Sequence, residues 1–204
     1  MAAIHTPNQA GEVVATDASA APTTSTPMDK AIAVMRLAFG ITFLWAFLDK
    51  LLALGFHTGA VTNPGTGARD SIDFFAKDAA WINGGSPTEG FLTFGVPADN
   101  PFKEVFTSMA GQGWVDVLFM LGLLGIGVAL LTGVAMRIGT AAGALMYAFM
   151  YAAVLPLENN PIVDDHLVGV IVMAVLALAY AGRTWGLGTW WESQGIVKRN
   201  PVLR

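Results

Sequence analysis

The chain of 204 residues contains no cysteine. That excludes disulfides, thiolate nucleophiles, iron–sulfur clusters and thiolate metal sites together. Charge is scarce as well: Asp, Glu, Lys and Arg make up 13% of the residues, half the roughly 25% of an ordinary soluble domain. A surface that faces water needs more; one that faces lipid does not. Basic clusters are missing, and with a formal net charge of −4 there is no electrostatic footprint for nucleic acid. Histidine is limited to His5, His57 and His166. His57 falls in Gly-rich chain and supports an axial ligand poorly, so neither haem nor another metal site is expected. Residues Met1–Thr26 have almost no large apolar side chains. Such a segment cannot offset its ordering entropy, so residues 1–27 read as a disordered tail. They lack the basic start and apolar middle of a signal peptide.

What the chain has in abundance is long apolar runs: Ala31–Phe56, Val117–Ala135, Ile138–Leu155, and a fourth from Leu167 that reaches a full span by continuing through Tyr180 and Arg183 to Trp185. A helix rises about 1.5 Å per residue, so roughly 20 apolar residues cross a hydrocarbon core about 30 Å thick. The expected fold is therefore all-α, a four-helix transmembrane bundle over residues 28–191. Its helices lie near 31–56, 117–135, 138–155 and 166–185, with a long extracytoplasmic loop at 57–115 between the first two. Residues 192–204 read as a second tail.

Lys30, Arg36, Arg137, Arg183, Lys198, Arg199 and Arg204 all flank the same ends of these four runs. Basic residues collect on the cytoplasmic side, so the expectation is a multi-pass protein of the cell membrane with both termini cytoplasmic. Trp185, Trp190 and Trp191 suit the inner interface, and Trp81 and Trp114 the outer one. Trp45 stands apart within the first helix. In the outer loop, Asp70 or Ser71 can cap a short helix carrying Ile72, Phe74 and Phe75. A second short helix begins near Asn100-Pro101. These helices either lie flat on the membrane or form a lid hinged at Gly84-Gly85 and Gly111–Gly113.

Charges inside hydrocarbon cost roughly 2.5–3.5 kcal/mol each, so each needs a partner or a purpose. Arg36 is expected to snorkel to the inner headgroups. Asp49 and Lys50 project about 100° apart, so at least one should turn toward another helix. At the same height lie Tyr147, Tyr151, Glu158, Asp165 and His166, and packing the helices side by side gathers them at the outer rim. Asp164 and Asp165 also suit the start of the fourth helix as capping groups. Gly139 and Gly143 have the spacing that lets helices approach closely.

The run Arg36-x-x-x-Gly40-x-x-Phe43-x-x-x-Phe47-x-Asp49-Lys50-Leu51, the glycine-rich second helix, and Asn160-Pro161-Ile162-Val163-Asp164-Asp165-His166 together resemble the DoxX/DoxD-like membrane proteins. Gly90-Phe91, Pro101-Phe102 and Gly186-Leu187-Gly188-x-Trp190-Trp191 extend the match over roughly Asp29 to Trp191. The resemblance implies a four-helix membrane bundle. In the DoxD branch it also implies association with thiosulfate:quinone oxidoreductase, which oxidises thiosulfate to tetrathionate and passes electrons to quinone.

The leading expectation is thus an integral membrane subunit of a quinone-linked oxidoreductase, with quinone as cofactor and other subunits of a membrane complex as partners. His166, Lys50 and Asp165 are the candidate catalytic groups. His166 exchanges protons, Asp165 orients it, and Lys50 holds an anion. Asp49, Tyr147, Tyr151 and Trp45 are the candidates to line the cofactor site. The alternative is a non-catalytic accessory subunit docked on a larger respiratory complex, its tails at 1–26 and 192–204 free to bind it.

Overall fold

The computed structural model describes residues 25–204. All but the last residues of the expected N-terminal tail therefore lie outside the described residues. The chain is mainly helical. Four longer helices, α1 (Pro27–Leu52), α3 (Gly113–Thr132), α4 (Met136–Ala153) and α5 (Asp165–Leu178), carry the core. Two of them, α1 and α3, are long and apolar enough to cross a membrane, and α5 is apolar but shorter. Arg137, the small residues and the two tyrosines make α4 less apolar than its neighbours.

Helix α1 starts four residues before the apolar run because Thr26 and Asp29 form a reciprocal cap, with Pro27 at the first turn. It ends at Leu52, where Ala53 turns left-handed. Helix α3 ends against Gly133, whose φ of 75° most side chains would resist. The fourth helix does not run to Trp185 as expected. Tyr180 adopts φ 49°, which no α-helix accommodates, and the chain passes into a short turn at Ala181–Arg183.

Helix α1 packs on α3, α3 on α4, and α4 on α5. Phe43, Met120, Leu123, Ile126, Leu130, Met173 and Leu176 meet in the centre. Close approach depends on missing Cβ atoms. A methyl on Gly40 would stand 2.9 Å from Leu131, and one on Gly127 would stand 2.9 Å from the Leu44 nitrogen. Much of the remaining apolar surface faces outward, including Ile41, Leu118 (65% exposed), Leu145, Phe149, Ile171 and Leu178 (79% exposed).

The connection between α1 and α3 differs from its expected form. Arg69–Ile72 is not a helix capped by Asp70 or Ser71; it is strand β2, paired antiparallel with β1 (Ala60–Thr62) in the register Ala60 opposite Ile72. The side chain of Asn63 accepts from the Gly65 and Thr66 N–H groups. That turn reverses the chain. Helix α2 (Lys103–Met109) does follow Asn100-Pro101. Its Phe106 joins Leu92, Val96, Val115 and Ala153 in a second apolar cluster over the ends of α3 and α4.

The residues from Glu192 onward also form ordered structure. After α6 (Gly188–Ser193) come α7 (Gly195–Arg199) and a turn at Pro201–Leu203. The Arg137 N–H donates to the Arg204 carbonyl at 2.7 Å, and the Arg137 guanidinium to the Pro201 carbonyl at 2.9 Å. The segment is docked on the start of α4.

Candidate functional site

The start of α1, the end of α3, the start of α4 and the end of α5 meet at one end of the molecule. The complementary helix ends meet at the other. Each end holds buried charge, in contrasting ways.

At the first end Arg36 is fully buried, 0% exposed, so it does not snorkel. Its guanidinium donates to the carbonyls of Leu130 and Leu131 at the end of α3, and to Thr184 and Trp185 at 3.2 and 3.0 Å. The last carbonyls of a helix lack intrahelical donors, and a planar fork of N–H groups meets several at once. A cation there also complements the helix dipole. Nε alone is buried without an acceptor.

At the opposite end Asp49 is 1% exposed and accepts three backbone N–H bonds: Phe56 at 3.0 Å, His57 at 2.9 Å and Thr58 at 3.1 Å. Its role is to hold the chain leaving α1, which leaves it no free edge for a cofactor. Lys50 beside it is half-buried, with no hydrogen bond or ion pair to any described residue. Trp45 is turned outward and meets Phe56 edge-on, ring centres 5.0 Å apart.

The residues around His166 fall out differently from the sequence expectation. It is Asp164, not Asp165, that partners the imidazole: Nδ1 and the Asp164 carboxylate lie 2.6 Å apart, while Asp165 is exposed. The other Asp164 oxygen accepts from the Leu167 N–H at 2.9 Å and caps α5. Burial by itself would raise the Asp164 carboxyl, but hydrogen bonds from the Leu167 N–H and from His166 outweigh it and hold it below its ordinary value. An ionised carboxylate only accepts, so Nδ1 carries the proton, and Nε2 has no partner among the described residues.

The Tyr147 ring is 6.4 Å from His166, edge-on to Phe43 at 5.4 Å and to Phe39 at 6.2 Å. Gly169 lies flush against it, where a Cβ would come within 2.7 Å of the ring. The Tyr147 hydroxyl has no hydrogen-bond partner among the described residues. Tyr151, by contrast, donates to the Ile162 carbonyl at 2.8 Å and ties down the loop before α5. Glu158 is exposed and bonds to no described residue. The structure thus brings together Tyr147, His166 and Asp164, and assigns Asp49 and Tyr151 to the backbone.

Asp116, in the first turn of α3, is a buried carboxylate that sequence reasoning passed over. It is 6% exposed and accepts from Ser86 Oγ at 2.9 Å, Thr88 Oγ1 at 2.6 Å and the Thr88 N–H at 3.2 Å. An open cleft of about 570 Å³ lies over it, rimmed by Asp78, Trp81 and Glu89. Its available signal was an acid one residue before an apolar run, which also marks any helix N-terminus. Among the described residues, no three His, Asp or Glu side chains are grouped to hold a metal ion.

Comparison of the chain with family models, curated proteins and solved structures gives no match.

Proposed function

We propose that this protein is an integral membrane subunit that acts at the level of quinone, with Tyr147 and His166 at the working site. The membrane part of the reading rests on apolar side chains that face outward on each of the four long helices. Soluble proteins rarely expose so extensive an apolar surface. On this reading the four helices form a bundle in the cell membrane, the end holding Lys30, Arg137, Lys198 and Arg199 is cytoplasmic, and the long α1–α3 connection lies outside.

The observation that carries the redox part is the line Asp164–His166–Tyr147. A carboxylate fixes the proton on Nδ1, and the Tyr147 ring, whose hydroxyl has no partner among the described residues, lies 6.4 Å from the imidazole with Phe39 and Phe43 against it. A quinone head needs hydrogen-bond donors at its carbonyls and apolar walls, and these residues fit that need. When bound, a quinone accepts two electrons and two protons; the joining of two thiosulfates into tetrathionate releases two electrons. The chain's own part is proton traffic and placement. Tyr147 donates a hydrogen bond from its hydroxyl, His166 holds or gives up a proton at Nε2, and Asp164 keeps the ring in one orientation. Lys50, with no ion pair to any described residue, offers positive charge to an anion at the same end.

His166→Ala and Tyr147→Phe, assayed in native membranes, should each lower thiosulfate-dependent quinone reduction by about 10²-fold or more, the size of a lost general acid–base group. Undiminished turnover in both would discard the site. The accessory-subunit reading draws on a different fact: Arg36, Asp49 and Tyr151 all serve main-chain groups, as a scaffold requires. It predicts that no quinone is found when lipids are extracted from the purified protein and analysed by mass spectrometry.

A further inference from the structure

The segment after α5 is held rigidly, yet it leaves its large apolar side chains outside. The Leu187 N–H donates to the Thr132 carbonyl at 2.7 Å, Trp191 Nε1 to the Leu203 carbonyl at 2.5 Å, and Val197 is fully buried. With that framework in place, Trp190, Ile196 and Val202 remain largely exposed. The same segment carries exposed cations, Lys198 and Arg199 on α7, with Arg137 anchored beside it through Pro201. The acid of this segment, Glu192, is already committed to Arg183, in bonds of 2.8 and 3.1 Å. The exposed surface of the segment is therefore apolar and positive, with the Glu192 charge neutralised. Water suits the cations but not the exposed apolar side chains; a leaflet boundary of anionic headgroups over acyl chains suits both.

We infer that the docked segment is a fixed platform for anionic phospholipid. Arg137, Lys198 and Arg199 take the phosphate groups, and Trp190, Ile196 and Val202 sit at the level of the first acyl carbons. The inference rests on the membrane reading above, and adds to it a lipid preference built into one end. A mobile basic tail would also attract anionic lipid, but without apolar anchors held in register with its charges.

The test uses the full-length protein reconstituted in nanodiscs of equal phosphatidylglycerol and phosphatidylcholine, then released for native mass spectrometry. The wild type should retain phosphatidylglycerol in preference. Each basic residue removed should weaken that retention roughly fivefold, the equivalent of about 1 kcal/mol per charge near a membrane surface, so K198Q/R199Q should lose about 25-fold by the same rule. Lys77→Gln, an exposed cation of the α1–α3 connection, should change nothing. Both variants should unfold at the wild-type temperature in detergent, because these side chains make no internal bond. Equal retention of the two lipids, or full retention by K198Q/R199Q, overturns the platform. So does loss of a co-purifying acidic protein from K198Q/R199Q with the lipid preference intact. If alkaline carbonate washing instead releases the protein from membranes, it is the membrane reading itself that falls.

Discussion

The two ends of the molecule solve the same problem with opposite charges. Where α3 finishes, a buried cation gathers carbonyls: Arg36 holds Leu130, Leu131, Thr184 and Trp185. Where α3 and α5 begin, carboxylates gather N–H and O–H groups: Asp116 holds Ser86 and Thr88, and Asp164 holds Leu167 and His166. The helix dipole favours a cation near the C-terminus and an anion near the N-terminus, so the sign of the buried charge follows the helix direction, although Asp116 takes its hydrogen bonds from Ser86 and Thr88 rather than from α3. Asp49 breaks the pattern, since it sits at the C-terminus of α1. It serves the N–H groups of the following loop instead. The lesson is that a charge in an apolar helix can be a main-chain device rather than an active-site signal.

Replacing Arg36 is the severest way to break the comparison. Arg36→Met strands four carbonyls, and each unsatisfied buried polar group costs about 1–3 kcal/mol. Loss of several kcal/mol should show as a collapse of the thermal transition in detergent or of monodisperse yield. Arg36→Lys should recover only part, because an ammonium cannot fork. A transition unchanged in Arg36→Met would show that the carbonyls find other donors.

Next in size is Asp49→Ala, which removes one acceptor from three N–H groups and should destabilise by about 2–3 kcal/mol, as for hydrogen bonds to a charged group. Hydrogen exchange at Phe56–Thr58 should accelerate while the core of α3 stays protected. Asp116→Ala should cost about 1–2 kcal/mol by the same reasoning and make the Ser86–Glu89 segment the first site of limited proteolysis. Unaltered cleavage would reduce Asp116 to a bystander of the cleft.

The smallest effect sharpens the comparison through pH. The Asp164 carboxyl is lowered in the folded protein from an ordinary 3.8, so between the two values the unfolded chain binds more protons. Stability then rises with pH across that window. The Asp164 contribution should be complete above pH 3.8 and fade as the pH drops through the lowered folded value. Asp164→Asn should flatten that part of the stability–pH curve while leaving the helix cap nearly intact, because asparagine caps about as well as aspartate. A wild-type and Asp164→Asn pair with parallel acid limbs would remove this residue from the account.

The long helices were legible because continuous apolar runs admit few other readings. Their ends were less so. The left-handed residue at the end of α5 is Tyr180 rather than the nearby Gly182, and the hairpin at residues 60–72 was masked by Asp70 and Ser71, which favour helix caps and turns alike. In the candidate site, His166 and Tyr147 were found from position and type, but the choice between Asp164 and Asp165 depended on a capping geometry that adjacent acids share equally in one dimension.

Sequence alone determined where the apolar helices lie, that thiol chemistry is excluded, and that a few charges sit in improbable surroundings, because composition and periodicity act locally along the chain. Only the tertiary structure decided what those charges do. The partners of Arg36, Asp49 and Asp116 include main-chain groups, which every residue carries alike, and they come within reach only once the helices have packed.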